Sequence, residues 1–373
     1  MDKKKILIVS RSFYPTNSPR AFRTTELAKE FARQGHEVTV FTPKDQIVHT
    51  EFEKLYGVTI KDLGTLSWQA CEVKGSGLER LIRRTVLRFS TLLFEYPNIQ
   101  LVGMVKKALK RESGYDLLIS IAVPYPVHWG VASIRSSNNR IGKIWIADCG
   151  DPYMGAENDT FKHPFYFKYI EKWFSRKADY ITVPTTGSIN AYYPEFHDKI
   201  RVIPQGFRFE DVKVYEGDLK RDIPEFGYAG NFIPGRRDPK ELLSFLNSLP
   251  DNFRFHIYTN RTDLAKPYAD KSEGRIILHK VLPRPEVLYE LSRMNFLVNF
   301  ENAGHKQTPS KLIDYAILNK PVMSVTTGNL DKETVKEFLQ GNYRKKYVIE
   351  DPNQYRIENV CKKFLSVASK AVM

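Results

Sequence analysis

The stretch HKQTPSKLIDYAILNKPV, residues 305–322, joins a polar loop, a helix and the start of a strand in one run. An apolar strand candidate, 296–300, comes just before it, and another, 322–325, begins at its end. A helix between two consecutive strands is the connection that parallel strands require. This stretch therefore predicts an α/β domain built on a parallel sheet.

The same alternation of short apolar strands and amphipathic helices extends through the chain. A first series of strands is predicted at residues 6–10, 37–42, 117–122, 143–148, 180–184 and 200–204. A second series is predicted at 226–230, 253–258, 275–279, 296–300, 322–325 and 347–349. Two series predict two doubly wound Rossmann-like domains, each with its ligand site at the carboxyl ends of the strands.

Domain boundaries follow from this alternation. We expect a first domain over 1–207, a polar linker over 208–224 and a second domain over 225–350. Residues 351–373 predict a helix started by Asp351, with Pro352 at its first position. This helix either completes the second domain or packs back on the first.

Composition limits the class of protein. The chain has 373 residues, of which 42% are hydrophobic, as is typical of a globular protein. Its net charge of +14 is compatible with binding to nucleic acid, with binding to an anionic membrane, or with a basic protein that binds neither. No recognised nucleic-acid module occurs, so nucleic acid is not expected. Three widely spaced cysteines argue against a disulfide framework and a zinc site. With no signal peptide and no long apolar run, the expected location is the cytoplasm, or the inner face of a membrane as a peripheral protein.

A pair of arginines follows the first strand of the second series, in GYAGNFIPGRRDP. Arg236 and Arg237 precede a predicted helix start, and guanidinium groups beside a helix N-terminus suit a diphosphate. The alternative is two solvated arginines on a loop.

The helix in the opening stretch begins near Ser310. Backbone amides over Pro309–Leu312, including Lys311, can hold a phosphate at such a helix start. Asp314 lies one turn further on, where it can accept hydrogen bonds from a ribose, or simply be a first-turn acid favoured by the helix dipole. His305 has no second ligand at helical spacing, so no metal site is predicted.

The first domain offers a second set of candidates. A loop containing Ser18, Pro19 and Arg20 follows the first strand and lacks the GxGxxG fingerprint. Asp148 and Asp151 lie at a strand end, where carboxylates can act as a base or orient a hydroxyl. The structural alternative for Asp151 is a helix cap followed by Pro152.

The sequence resembles the retaining GT-B glycosyltransferases of family 4 (the group 1 type). SKLIDYAILNKPV is similar to their second-domain signature, and ILIVSRSFYP, IWIADCGDPY, IEKWFSRKADYITVPT and IRVIPQGF resemble further segments in the same order. The resemblance implies two Rossmann-like domains facing a central cleft. It also implies transfer of a sugar from a nucleotide diphosphate sugar to a glycan or lipid-linked acceptor, with retention of configuration and without metal or cofactor.

Matching residues receive roles from this resemblance. Arg237 corresponds to the basic residue at the donor diphosphate, which gives it a catalytic role, and Asp314 to the acid at the donor ribose. The Pro309–Leu312 turn corresponds to the phosphate-binding helix start. Asp148 falls near the acceptor, together with Asp151 and the 18–20 loop.

Several positions depart from the family pattern. Lys306 stands where many members have Glu, which suggests an acidic donor sugar, Asn231 stands where a basic residue is common, and Ala147 stands at a frequent histidine position. Two alternatives therefore stay open: a catalytically silent nucleotide-binding partner in a glycan-assembly complex, and a nucleotide-sugar epimerase of the same architecture.

One predicted helix, over residues 78–93, separates apolar from basic residues. Its basic side carries Arg80, Arg83, Arg84 and Arg88. Such a helix can lie on an anionic membrane surface, which would suit a lipid-linked acceptor. The alternative is an ordinary surface helix whose apolar stripe faces the core.

Overall fold

A computed structural model describes residues 2–68, 76–136, 139–155, 162–218, 221–301 and 311–370. The chain divides into two compact units, one formed by residues 1–207 with 357–373 and the other by 208–356. Among the described residues, no helix is long and apolar enough to cross a membrane.

Unit 1 contains a parallel sheet with helices between its strands. Its strands are β1 (Lys5–Ser10), β2 (Glu37–Thr42), β3 (Thr59–Asp62), β4 (Tyr115–Ala122), β5 (Gly142–Cys149), β6 (Tyr180–Val183) and β7 (Ile200–Val202). Its helices are α1 (Pro19–Arg33), α2 (Gln46–Tyr56), α3 (Gly77–Phe94), α4 (Gln100–Leu109), α5 (Pro126–Ile134), α6 (Phe167–Lys177) and α12 (Ile357–Lys370). The strand order β3-β2-β1-β4-β5-β6-β7 is that of a doubly wound fold.

Unit 2 repeats the plan on a smaller scale. Its strands are β8 (Glu225–Ala229), β9 (Arg254–Tyr258), β10 (Ile276–His279), β11 (Phe296–Phe300) and β12 (Val322–Val325), in the order β10-β9-β8-β11-β12. Its helices are α7 (Lys240–Ser248), α8 (Lys266–Ala269), α9 (Arg284–Ser292), α10 (Lys311–Leu318) and α11 (Lys332–Leu339). All pairings in both sheets are parallel. The expectation of two Rossmann-like α/β domains is confirmed.

Each sheet is covered on both faces because its strands carry apolar residues at successive positions. In β1, Ile6 and Ile8 point into one core cluster and Leu7 and Val9 into the other. This near-continuous apolar run is what a strand buried on both faces needs. The loops that carry the candidate residues lie at the carboxyl ends of the strands.

The last helix belongs to unit 1. α12 places Phe364 against Phe31 of α1, with ring centroids 6.4 Å apart, and shares a core cluster with β1 and β4. It begins at Ile357 rather than at the expected Asp351, which instead caps a short 3-10 turn over Pro352–Tyr355.

Three further expectations about elements were wrong or incomplete. Residues 347–349 form no strand, because Tyr347 makes a single backbone hydrogen bond to Val322 at the edge of β12. Conversely, β3 and α2 were not predicted, since β3 has only four residues and mixes apolar with charged side chains. Pro152 starts no helix either, because residues 151–155 form bends and turns.

Candidate functional site

The candidate donor site begins where β8 ends. Gly230 has a φ of +147° and lies against Lys311, so that a Cβ on this glycine would lie 1.9 Å from Lys311 Nζ. Lys311 is the first residue of α10, and its Nζ lies 3.8 Å from the centre of the Tyr228 ring. The absence of a side chain at Gly230 therefore allows an ammonium group to reach the end of the strand.

Two cationic side chains meet at this point, and the carboxylate of Asp314 acts on Lys311 without a hydrogen bond to its ammonium group. Lys311 Nζ and Arg237 Nε are buried and have no hydrogen-bond partner among the described residues. Burial, together with the charge of Arg237, lowers the pKa of Lys311 well below its ordinary value. Buried polar groups are normally satisfied, and an uncompensated buried charge is costly. The pair therefore has the chemistry that suits a bound anion.

The loop that carries Arg237 is held in place from both ends. Ile233 and Arg237 pair across a tight turn, and Asp238 accepts hydrogen bonds from the backbone of Gly235 and Lys240. The Thr327 hydroxyl donates to the Arg236 carbonyl. The Arg236 side chain itself is exposed, so the structure brings Arg237, and not Arg236, to Lys311.

Of the other predicted donor residues, Asn231 and Leu312 are described by the structure. Asn231 is exposed, and its side chain accepts a 3.4 Å hydrogen bond from the Asn260 amide. Leu312 packs into the core of unit 2, which restricts its expected contribution to its backbone. Lys306, Pro309 and Ser310 lie outside the described residues.

Asp314 lies one turn into α10, as the sequence predicts. Arg284, a residue that the sequence analysis missed, donates to its Oδ1 from Nε at 3.0 Å and from a terminal nitrogen at 2.6 Å. Burial raises the pKa of Asp314, and Arg284 opposes this rise. Arg284 stands at the first position of α9, just beyond β10; a basic residue at a helix start after a strand was the signal available in the sequence.

Asp148 has a different environment from that expected of a base. Arg23 of α1 donates to both of its oxygens, at 2.8 and 3.0 Å, and Thr182 donates at 2.6 Å. Burial would raise the pKa of Asp148, but Arg23 holds it below its ordinary value. These contacts favour a structural role that joins α1 to β5 and β6. Its catalytic role, and that of Asp151, stay predictions.

The predicted acceptor-side residues start α1. Ser18 caps the helix by accepting from the Ala21 amide, and Pro19 occupies the first helical position. The Arg20 side chain lies against Gly150 and reaches Asp151 at 3.4 Å. Arg20 and Asp151, which the sequence places far apart, are therefore neighbours at the carboxyl ends of β1 and β5.

The comparisons with known proteins agree with this architecture. The sequence profile described as Glycosyltransferase Family 4 matches residues 22–210. The chain belongs to this family. No curated protein sequence matches the chain significantly.

Solved structures similar to this family 4 member share its fold at low sequence identity. A glycosyltransferase from Rickettsia africae aligns over 100% of this chain and 99% of its own, with 12% identity and a TM-score of 0.63. Anabaena HepE, solved with UDP and glucose, aligns over 99% and 98%, with 12% identity and a TM-score of 0.55. The UDP-GlcNAc 2-epimerase of Neisseria meningitidis, bound to UDP-GlcNAc, aligns over 98% and 100%, with 14% identity and a TM-score of 0.57.

Proposed function

We propose that this family 4 glycosyltransferase transfers a sugar from a nucleotide diphosphate sugar to a glycan or lipid-linked acceptor, with retention of configuration. The observation that carries the proposal is the buried Lys311–Arg237 pair at the end of β8, whose Lys311 Nζ and Arg237 Nε make no hydrogen bond to any described residue. A diphosphate supplies the missing negative charge. HepE, a structure of the same fold, was solved with UDP and glucose.

The proposed chemistry uses these two cations. As the bond from the sugar to the diphosphate breaks, negative charge develops on the leaving phosphate oxygens. Fixed positive groups that already point at this position lower the barrier, because they need no rearrangement during the reaction. A phosphate oxygen of the leaving group takes the acceptor proton on the same face of the sugar, so the proposal requires neither a protein base nor a metal ion.

Membrane attachment is the second part of the proposal. None of the eighteen residues of α3, all of which the structure describes, is buried. Leu78, Leu81, Ile82, Val86 and Phe89 are each more than half exposed. The expectation that this stripe could face the core is therefore wrong for unit 1.

The rest of α3 supports the same interpretation. Arg83, Leu87, Ser90 and Thr91 are half-buried and lie on the side opposite the apolar stripe, at the 100° spacing of a helix. On the stripe side, Leu92 and Leu93 are half-buried as well, at the end of the helix that is tied to unit 1. At the same spacing Arg88 borders the stripe, Arg84 lies further round the helix and Arg80 lies opposite the centre of the stripe. An outward apolar stripe beside arginines suits an anionic bilayer, where a lipid-linked acceptor would be found.

The Lys311→Met substitution tests the donor site. Because it removes a buried cation and leaves a chain that packs on Tyr228, we expect the melting temperature to rise. Binding of UDP, GDP or ADP, whichever the wild type prefers, should weaken about tenfold or more, since a charged hydrogen bond contributes roughly 1.5–3 kcal/mol. Isothermal titration calorimetry and differential scanning calorimetry measure the two effects. Lys266→Met, which breaks an exposed pair in the same unit, is the control.

Nucleotide release from UDP-, GDP- and ADP-sugars then separates the activities. Transfer requires an acceptor and should be lost in Asp314→Ala. Nucleotide binding without release would favour the silent partner, and conversion of the sugar without an acceptor would favour the epimerase. Unchanged nucleotide affinity in Lys311→Met would contradict the proposed site.

A further inference from the structure

Arg284 and Asp314 form an ion pair that engages one side of the carboxylate. Both arginine donors, Nε at 3.0 Å and a terminal nitrogen at 2.6 Å, go to the same carboxylate oxygen, Oδ1. An arginine facing a carboxylate commonly makes two parallel bonds to its two oxygens. The result here is a carboxylate held by one oxygen only.

Two other pairs in the chain show the common arrangement. Arg23 donates to Oδ2 and Oδ1 of Asp148 at 3.0 and 2.8 Å. Arg261 donates to Oδ1 and Oδ2 of Asp263 at 2.9 and 2.8 Å. Arg83 on α3 also donates both bonds to one oxygen, Oε1 of Glu79, but that carboxylate is 60% exposed, whereas Asp314 is 26% exposed. At Asp314 the arrangement therefore directs a largely enclosed carboxylate.

The second oxygen of Asp314 is left for another donor. Asp314 Oδ2 accepts no hydrogen bond from any described residue, and the side chain keeps 26% of its surface exposed. An ionised carboxylate oxygen can accept two hydrogen bonds. The neighbouring hydroxyls of a ribose offer two donors at close spacing.

Charge strengthens this acceptor. Asp314 is partly enclosed by α9 and α10, an environment that disfavours the ionised form. Arg284, with Lys311 on the preceding turn, opposes this effect. An ionised acceptor makes hydrogen bonds roughly twice as strong as a neutral one. Arg284 therefore fixes both the direction and the charge of the carboxylate.

We propose that Arg284 is a positioning residue that aims Asp314 Oδ2 at the ribose hydroxyls, so that the site selects ribonucleoside over 2′-deoxyribonucleoside diphosphates. This inference rests on the proposed function, in which Asp314 binds the donor ribose. It adds the positioning role of Arg284 and the selectivity for ribonucleotides over deoxyribonucleotides. A residue needed only for packing would change both affinities by the same factor.

The test compares UDP, GDP and ADP with their 2′-deoxy counterparts by isothermal titration calorimetry on the full chain. We expect the wild type to prefer the ribonucleotide about tenfold or more, as a charged acceptor implies. Arg284→Met should weaken ribonucleotide binding and reduce this preference to within about threefold, with little change for the deoxynucleotide. Arg284→Lys keeps the charge with a single nitrogen and should retain an intermediate preference. Should Arg284→Met fail to fold, this variant provides the test.

Control variants distinguish a failure of this inference from a failure of the proposed function. Arg293→Met removes an arginine–carboxylate pair from the other end of α9 and should leave the preference unchanged. In the Asp314→Asn background, adding Arg284→Met should have no further effect on the preference. Nucleotide binding with an undiminished preference in both Arg284 variants would overturn only this inference. A wild type that binds none of the nucleotides would overturn the proposed function and this inference with it.

Discussion

The pKa of Glu171, on α6, depends strongly on its buried surroundings. Its side chain is 1% exposed, and burial raises its pKa to about 8, against a weaker opposing contact from the Met154 backbone. Charged residues are rarely buried without a partner of opposite charge. In the folded protein burial therefore favours the neutral form of this carboxyl group.

The raised pKa predicts a stability that falls as pH increases. Between about pH 4.5 and 8 the unfolded chain loses the proton while the folded chain keeps it, so the free energy of unfolding decreases by up to about 1.4 kcal/mol per pH unit. Glu171→Gln cannot ionise, so its stability relative to the wild type should increase from pH 5 to pH 8. Urea unfolding at several pH values, with exposed Glu195→Gln as control, measures this. A difference that stays constant with pH would count against a neutral Glu171.

Helix α3 is the element whose role depends most on a partner outside the chain. Its C-terminal end is tied to unit 1, since the Tyr166 hydroxyl donates to the Leu93 carbonyl and Trp68 stacks on Tyr96 at 5.9 Å. The rest of the helix presents its apolar stripe outward. Exposed apolar patches of this kind usually mark interaction surfaces.

Reversing the charges on α3 should abolish membrane binding. Each basic residue contributes about 1 kcal/mol on an anionic surface, so Arg80, Arg84 and Arg88 together changed to Glu should lower binding by at least about a hundredfold. Co-sedimentation with phosphatidylcholine vesicles, with and without added anionic phosphatidylglycerol, measures the effect. The control changes three exposed basic residues of unit 2 to Glu: Lys213, Lys271 and Arg344.

Two outcomes would contradict this role of α3. One is equal binding by the α3 variant and the unit 2 control. The other is loss of binding in both, which would indicate attraction by net charge alone.

At the scale of the whole molecule, the chain forms two units whose boundary is crossed twice. Residues 208–356 form unit 2, and the chain then returns to unit 1 as α12. Ile357, Val360, Cys361 and Phe364 are almost fully buried there. Helix α12 therefore completes a core that is formed mainly by elements from the first part of the chain.

This division predicts that core substitutions act within one unit. Phe364→Ala should destabilise unit 1 by about 3–5 kcal/mol, the usual cost of such a truncation in a core. Hydrogen exchange followed by mass spectrometry should then show faster exchange in β1 and β4, with β8 and β11 unchanged. Phe338→Ala, at an equally buried position of unit 2, should give the reverse pattern. Faster exchange throughout the chain in either variant would mean that the units unfold together.

Much of this molecule was predictable from local sequence. The period of the apolar residues determined most strands and helices and the two-unit plan, because burial on both faces of a parallel sheet needs continuous apolar runs. The order of the motifs predicted the family, and SKLIDY placed Lys311 and Asp314 on the first turn of α10.

Tertiary structure alone decided which charges meet. Arg23 and Asp148 are 125 positions apart, and Arg284 and Asp314 are 30 apart. No local pattern encodes these pairs, since they form only when helices and strands that are distant in the chain pack together. The exposure of the α3 stripe was likewise undecided, because helical spacing defines a face but not its direction. The sequence also left open which unit the last helix, α12, packs against. Packing between distant parts of the chain decided this.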